Sequence, residues 1–276
     1  MKKIFTLLAL TISFSMNAQM TITSGQNTGT FSSNAGWDTT SSGTASTALG
    51  YGTSATTHAA LSTGTFTTAS NYSSVAMGEN SIASGSRSFA AGQNTIASDF
   101  ASFVIGQYNS SGSLATSVNS FSTSAPAFVI GNGTDNSNKS DAFKVMFNGD
   151  ATVSNDLTVS GDVVVSSDAR LKSNIVSLGS TLSRLLLIDG KSYTMTKDGE
   201  KKIGVLAQEI KEVFPELVSE DDNEMLAVNY QGLVPVLINA LKEQNARMKE
   251  QQSEIETYRD EVSELKEMVQ ELASRD

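Results

Sequence analysis

Val75-Ala76-Met77-Gly78, Ser81-Ile82-Ala83, Phe89-Ala90-Ala91-Gly92 and Thr95-Ile96-Ala97 follow one another as two copies of one pattern. Working outward from them, Gly50, Gly64, Gly78, Gly92 and Gly106 fall every 14 residues. Ala55, Ala69, Ala83 and Ala97 keep that spacing, and so do Leu61, Val75, Phe89 and Phe103. A fourth register holds Leu49, Thr63, Met77, Ala91 and Ile105. A short fixed period is the mark of a solenoid, in which each coil buries its apolar face against the next. One such coil has room for two short strands and two turns. Gly is expected to supply turns with positive φ. Ala and the larger apolar residues are expected to point inward, leaving Ser, Thr and Asn to face water or form ladders. A disordered Ser/Thr/Gly linker has no reason to hold a period.

The same residues resemble the head repeats of trimeric autotransporter adhesins over about 60 positions. The resemblance implies a homotrimer of left-handed parallel β-rolls. It departs from full-length adhesins because no set of alternating membrane strands follows at the C-terminus, so no self-anchoring barrel is expected.

Composition agrees with a thin, repetitive first half. Only 39% of the 276 residues are hydrophobic. A single chain so poor in apolar side chains needs repetition or neighbouring subunits to bury enough surface. Lys2 and Lys3, the apolar run Ile4–Phe14 and Ala18 read as a cleavable export signal, residues 1–18. Its apolar run is too short to span a bilayer, and no later stretch is longer. The expected location is therefore outside the cell or on its surface, with no membrane-spanning segment after signal removal. There is no cysteine, which excludes disulfides and thiolate metal sites. The single histidine, His58, excludes a His-rich metal centre, and no cofactor is expected. The net charge of −10 argues against nucleic acid as a partner. Residues 19–166 hold 3 Lys and Arg against 8 Asp and Glu, and the remainder holds 14 against 21.

Beyond the repeats, residues 110–166 read as a β-rich neck. Ala127-Phe128-Val129-Ile130-Gly131 echoes Ser102-Phe103-Val104-Ile105-Gly106 outside the regular period. Ala142–Phe147, Thr152–Ser160 and Asp162–Val165 read as strands. At Ser167 the composition changes to Leu, Lys and Glu. A short helix is expected near Leu178–Leu187, with Leu178, Leu182, Leu185 and Leu186 on one face. Strands follow at Ser192–Met195 and Lys202–Leu206, a helix at Ala207–Phe214 stopped by Pro215, and strands at Leu217–Ser219 and Met225–Asn229. The last forty residues form a heptad array. Val234, Leu241, Met248, Ile255, Val262 and Val269 hold one register, and Leu237, Gln244, Gln251, Tyr258, Leu265 and Leu272 the other. That is a coiled-coil seam. β-branched residues in one register with Leu in the other favour two strands, whereas the repeat zone argues for three, and three is expected.

The chemistry centres on Ser167-Asp168-Ala169-Arg170-Leu171-Lys172. Alone, this hexapeptide reads as a helix cap, with Ser167 or Asp168 capping and Arg170 and Lys172 solvated. Downstream stand Ile203-Gly204-Val205-Leu206-Ala207-Gln208-Glu209, Val213–Val218 and Val228-Asn229-Tyr230, then the heptads. This order resembles the intramolecular chaperone domain at the C-terminus of phage endosialidase tail spikes, a self-cleaving serine peptidase family. The resemblance implies that the domain trimerises the fibre before it and then cuts itself off. Carried over, the cut bond is Ser166–Ser167, and Ser167 and Lys172 form the catalytic dyad. The implied domains are a signal at 1–18, a β-roll passenger at 19–109, a neck at 110–166, a chaperone domain at 167–233 and a coiled coil at 234–276. The expected fold class is thus mostly β, then a small α+β domain ending in a trimeric coiled coil.

The chemistry also stands on its own terms. Hydroxyl attack on a peptide carbonyl needs a base, and this half of the chain has no histidine or cysteine. A free lysine, with a pKa of about 10.4, is almost wholly protonated at neutral pH. Burial or a neighbouring cation, such as Arg170 or a residue of another subunit, must favour the neutral amine. Lowering the pKa to about 7.5 costs on the order of 4 kcal/mol. Two other readings stand beside this one. The first is an uncleaved trimeric adhesin or stalk clamped by its coil. The second is a sugar-cleaving passenger, for which Asp38, Glu79 and Asp99 are only scattered carboxylates. The passenger's partner is expected to be a glycan or a cell surface.

Overall fold

The computed structural model describes residues 26–221 and 224–274. The expected export signal lies outside them. The chain divides into two compact units, residues 1–163 and 164–276.

The first unit is a β-solenoid of about six coils. Each coil contributes one five-residue strand, from Ser33–Trp37 to Phe103–Gln107, and one two-residue strand, from Gln26–Asn27 to Ile96–Ala97. Like strands stack in parallel with a 14-residue offset, so Gly78 pairs with Gly64 and Gly92, and Ala83 with Ala69 and Ala97. The out-of-period echo is also part of this sheet. Phe128 pairs with Phe103 and Gly131 with Gly106, which makes the last coil longer by the residues between Gln107 and Pro126. Asp141–Met146 and Ala151–Val153 then close the sheet edge in antiparallel register. The sheet therefore runs on without a break past residue 109.

The interior corrects one expectation. The second residue of each long strand points inward, and there stand Ala48, Ser62, Ala76, Ala90, Val104 and Val129, all fully buried. Ser41, Ala55, Ala69, Ala83 and Ala97 face them from the short strands, equally buried. Leu61, Val75, Phe89 and Phe103 hold the first position of their strands and lie on the outer face instead. Strand side chains alternate between faces, and the narrow coil admits only small groups. Burying an Ala methyl is worth about 0.8 kcal/mol, whereas covering a Leu, Val or Phe is worth about 1.5–3 kcal/mol. Most of the unit's available apolar stabilisation thus sits outside. Phe89 stacks on Phe103 with centroids 4.5 Å apart, and Phe103 on Phe128 at 5.6 Å.

The glycines also differ from expectation. They stand inside the long strands and not in the turns. Gly78 has φ +100°, and a Cβ there would lie 2.1 Å from the carbonyl oxygen of Gly92 in the next coil. The turns instead hold non-glycine residues in the left-handed region. Asp38, Phe66, Asn80, Asn94 and Tyr108 take φ of 43–53° at one corner. Ala45, Ala59, Ser73, Arg87 and Ala101 take 51–60° at the other. The ladder enforces these angles at a cost of about 1–2 kcal/mol each.

The strands expected at 152–160 and 162–165 reduce to Ala151–Val153, and residues 154–168 form neither helix nor strand. Leu157, Val159, Val163 and Val165 stay exposed. A strand persists only where its N–H and C=O groups find a partner, and the chain supplies none there.

In the second unit, helix α1 (Leu182–Leu185), helix α2 (Ala207–Val213) and helix α3 (Leu233–Ala273) accompany two antiparallel hairpins, Lys191–Thr194 with Lys201–Gly204 and Val218–Glu220 with Leu226–Val228. Helix α1 is shorter than expected, and Leu178 and Leu186 are exposed. The core is Ile210 and Phe214 of the α2 region against Val236 of α3, with Leu185, Ile188, Val205, Val228 and Leu233 packed around them. The Arg184 guanidinium lies 4.0 Å from the Phe214 ring centroid. Helix α3 runs 41 residues, about 60 Å at 1.5 Å per residue. It uses Leu233, Val236 and Ala240 against its own unit. Both heptad registers remain exposed from Val234 to Leu272.

Gly78→Ala is expected to destabilise the solenoid by at least about 3 kcal/mol, because backbone must move to admit the methyl group. Ala101→Gly is expected to shift stability by less than about 1 kcal/mol, since relief of the left-handed angle is offset by greater chain freedom. Urea unfolding followed by the β-sheet circular dichroism signal checks both.

Candidate active site

One tight turn brings the ends of the hexapeptide together. Asp168 caps a 3-10 helix, Ala169–Leu171, by accepting the Arg170 backbone N–H at 2.8 Å. The Lys172 N–H then donates to the Ala169 carbonyl at 3.1 Å. This reversal sets Lys172 Nζ 2.7 Å from Ser167 Oγ and 3.2 Å from the Ser167 carbonyl oxygen. The ammonium donates to both oxygens. A five-residue spacing is thus the spacing that one 3-10 turn needs to return the amine to the hydroxyl.

Asp168 and Arg170 are occupied with each other. The guanidinium donates from Nε at 3.1 Å to both carboxylate oxygens and from Nη2 at 2.7 Å to one. Hydrogen bonds from Arg170 hold the Asp168 carboxyl below its ordinary range, and the pairing raises Arg170. Asp168 therefore shapes the turn as an anion. Arg170, expected as the cation beside Lys172, directs its charge to Asp168. Ser166, Ser167 and Lys172 are all exposed, as is every residue from 154 to 180. Among the exposed side chains, Val165, Leu171, Ile175 and Val176 bracket the pair.

The downstream motifs converge elsewhere in the unit. The Val205 N–H donates to the Tyr230 hydroxyl at 3.2 Å. A Cβ on Gly204 would lie 2.8 Å from that hydroxyl and 3.1 Å from the Tyr193 hydroxyl. The Ile203–Glu209 and Val228–Tyr230 motifs therefore fix the launch of α3, not the dyad. Asn229 adds a cap, accepting the Gly232 N–H at 3.0 Å.

Sequence reasoning passed over Glu243. From α3 its carboxylate accepts the backbone N–H groups of Thr181 and Leu182 at the start of α1, and the Ser180 hydroxyl at 2.7 Å. These donors, led by the Thr181 N–H, hold the Glu243 carboxyl below its usual value. No local spacing reveals it, because the partners lie about 60 residues apart.

Two features define the class: a repetitive β carrier, and a small α+β unit that ends in an unpartnered seam and opens on a serine–lysine turn. Comparison with family models gives the particulars. Residues 167–219 match a peptidase family described as the chaperone of endosialidase, and the match begins at Ser167. Residues 36–67 and 69–95 match two copies of the YadA head domain repeat. No curated protein matches the chain. At this level the chain joins adhesin-head-like repeats to a chaperone-type domain of a self-cleaving peptidase family. No helix among the described residues is long and apolar enough to cross a membrane.

Glu243 is lowered in the folded state, so its contribution is complete above the ordinary carboxylate value and is lost as pH falls through the lowered one. Glu243→Gln is expected to melt below the wild type at pH 7. The gap is expected to close below about pH 4, where wild-type Glu243 is protonated too. Melting curves of the two proteins at a series of pH values measure this.

Proposed function

We propose that the unit beginning at Ser167 is an intramolecular chaperone that gathers three copies of an exported β carrier and then releases itself by cutting Ser166–Ser167. The observation that carries this reading is the 2.7 Å contact between Lys172 Nζ and Ser167 Oγ at the first residues of the peptidase match. Two further features support it. The seam of α3 stays free of its own unit along the whole helix. The outer stripe of the solenoid and the neck around Val163 and Val165 also hold apolar side chains that one chain does not cover.

The chemistry follows from exposure. In one chain the Lys172 ammonium donates to Ser167 and holds no place for the hydroxyl proton. Packing of three chains removes water from the Val165, Leu171 and Ile175 surroundings, and desolvation favours the neutral amine. Lys172 then accepts the Ser167 hydroxyl proton while Oγ attacks the Ser166 carbonyl carbon. The Ser166–Ser167 C–N bond breaks, the proton passes to the Ser167 nitrogen, and an ester to Oγ remains. Water hydrolyses the ester, leaving a carboxylate on Ser166 and a free amine and hydroxyl on Ser167. Attack proceeds within one chain or across the trimer by the same balance. Cutting makes the assembled carrier hard to unmake, because the part that assembled it has left. The carrier is offered outside the cell, to a cell surface or its glycans.

Ser167→Ala and Lys172→Ala are each expected to leave an uncut trimer, while the wild type yields residues 19–166 and 167–276 on a denaturing gel. Cutting in either variant removes the dyad assignment. Ile255→Asp with Leu265→Asp is expected to prevent trimers and slow cutting by at least about tenfold. Undiminished cutting by such monomers removes the gating by assembly. A wild-type trimer that stays whole leaves the stalk with a coiled clamp.

A further inference from the structure

Arg87 is the sole Lys or Arg between residues 26 and 109. It stands at a left-handed corner, φ 60°, where the neighbouring coils carry Ala59, Ser73 and Ala101. A long side chain at such an angle is uncommon. Its guanidinium carbon lies 5.3 Å from the Tyr72 ring centroid and 5.1 Å from that of Phe100. Tyr72 and Phe100 belong to the coils on either side, and coils are about 4.8 Å apart. The cation is therefore held between two rings spaced by two coils. His58, one coil further, stacks on Tyr72 at 5.0 Å and 19°.

The guanidinium edge has no acceptor among the described residues. Asp99 in the adjacent coil spends Oδ1 on the backbone N–H groups of Thr116 and Ser117, both at 2.6 Å. The long insertion of the last coil folds back along this corner and forms a wall. Phe100 N–H donates to the Ser117 carbonyl, Ser86 N–H to the Val118 carbonyl, both at 2.8 Å, and Asn71 Nδ2 to Asn119 Oδ1 at 2.9 Å. His58, Tyr72 and Arg87 remain exposed beside it.

We propose that this corner binds a carboxylate-bearing saccharide of the uronic-acid type. A guanidinium fixed in plane by two rings presents paired N–H donors that match a carboxylate in bidentate fashion. Tyr72, exposed along one face and edge, offers an apolar surface with a polar tip for the C–H face of the same sugar. A phosphate or a bare anion uses the guanidinium but gains nothing from Tyr72 and His58. This names the ligand class of the carrier proposed above. It does not depend on whether the chain cuts itself.

Titration calorimetry of the purified protein at pH 7 with trigalacturonate, its methyl ester, galactotriose and triglutamate tests the site. Cutting is scored on the same samples by gel, so failure of one proposal is told from failure of the other. Trigalacturonate is expected to bind, and its ester and the neutral trisaccharide to bind at least about tenfold more weakly. Arg87→Lys keeps the charge and loses the planar pair of donors, so it is expected to weaken binding by about tenfold or more. Tyr72→Ala is expected to weaken binding similarly, and the melting temperature shows that each variant is folded. No binding of trigalacturonate, equal binding of the ester, or unchanged binding by folded Arg87→Lys overturns the proposal. Tighter binding of triglutamate than of the saccharide overturns it in favour of an acidic peptide.

Discussion

A coil of 14 residues leaves space for little more than a methyl or hydroxymethyl group between its two strands. Everything else in the carrier answers to that limit. The interior is built from Ala and Ser, so the backbone ladders, and not a large apolar core, hold each coil to the next. Glycines inside the strands let successive coils approach until a single added carbon would collide with a neighbouring carbonyl. The larger apolar residues, excluded from within, line the outer face, where covering them is worth more than the whole interior of a coil. A structure of this kind is completed from outside, which is the physical basis for the proposed assembly of three chains.

The second unit solves a different problem, that of holding a long helix in place without spending the face that another chain must use. Helix α3 gives Leu233, Val236 and Ala240 to its own core and keeps both heptad registers clear. Glu243 adds a polar clasp to the start of α1 just beyond those contacts. The convergence of Gly204, Val205, Tyr193 and Tyr230 sets where α3 begins. The seam is therefore presented by a folded platform, and a helix presented in this way pays less entropy on association.

Between carrier and platform, the serine–lysine turn occupies the most exposed part of the chain. Its geometry is local and needs no other element: a capped 3-10 turn returns the amine to the hydroxyl. Reactivity is another matter, because a hydrated ammonium donates hydrogen bonds and does not accept protons. Separating geometry from reactivity in this manner is what allows a site to be present in the newly made chain and to act only once its surroundings have changed.

The sequence by itself determined the repeat, its period, the registers of the coiled seam and the pairing of Ser167 with Lys172. Each of these is a matter of spacing along one chain, and local backbone geometry turns spacing into position. Only the tertiary structure decided which face each repeat register takes. Alternation in a strand allows Phe89 or Ala90 to point inward, and the width of the coil settles for Ala90. It also decided that the glycines lie within strands, that Asp99 anchors an insertion while Arg87 stays free of it, and that Glu243 reaches Thr181 across some sixty residues. These depend on which distant segments become neighbours, and no window of sequence contains that information.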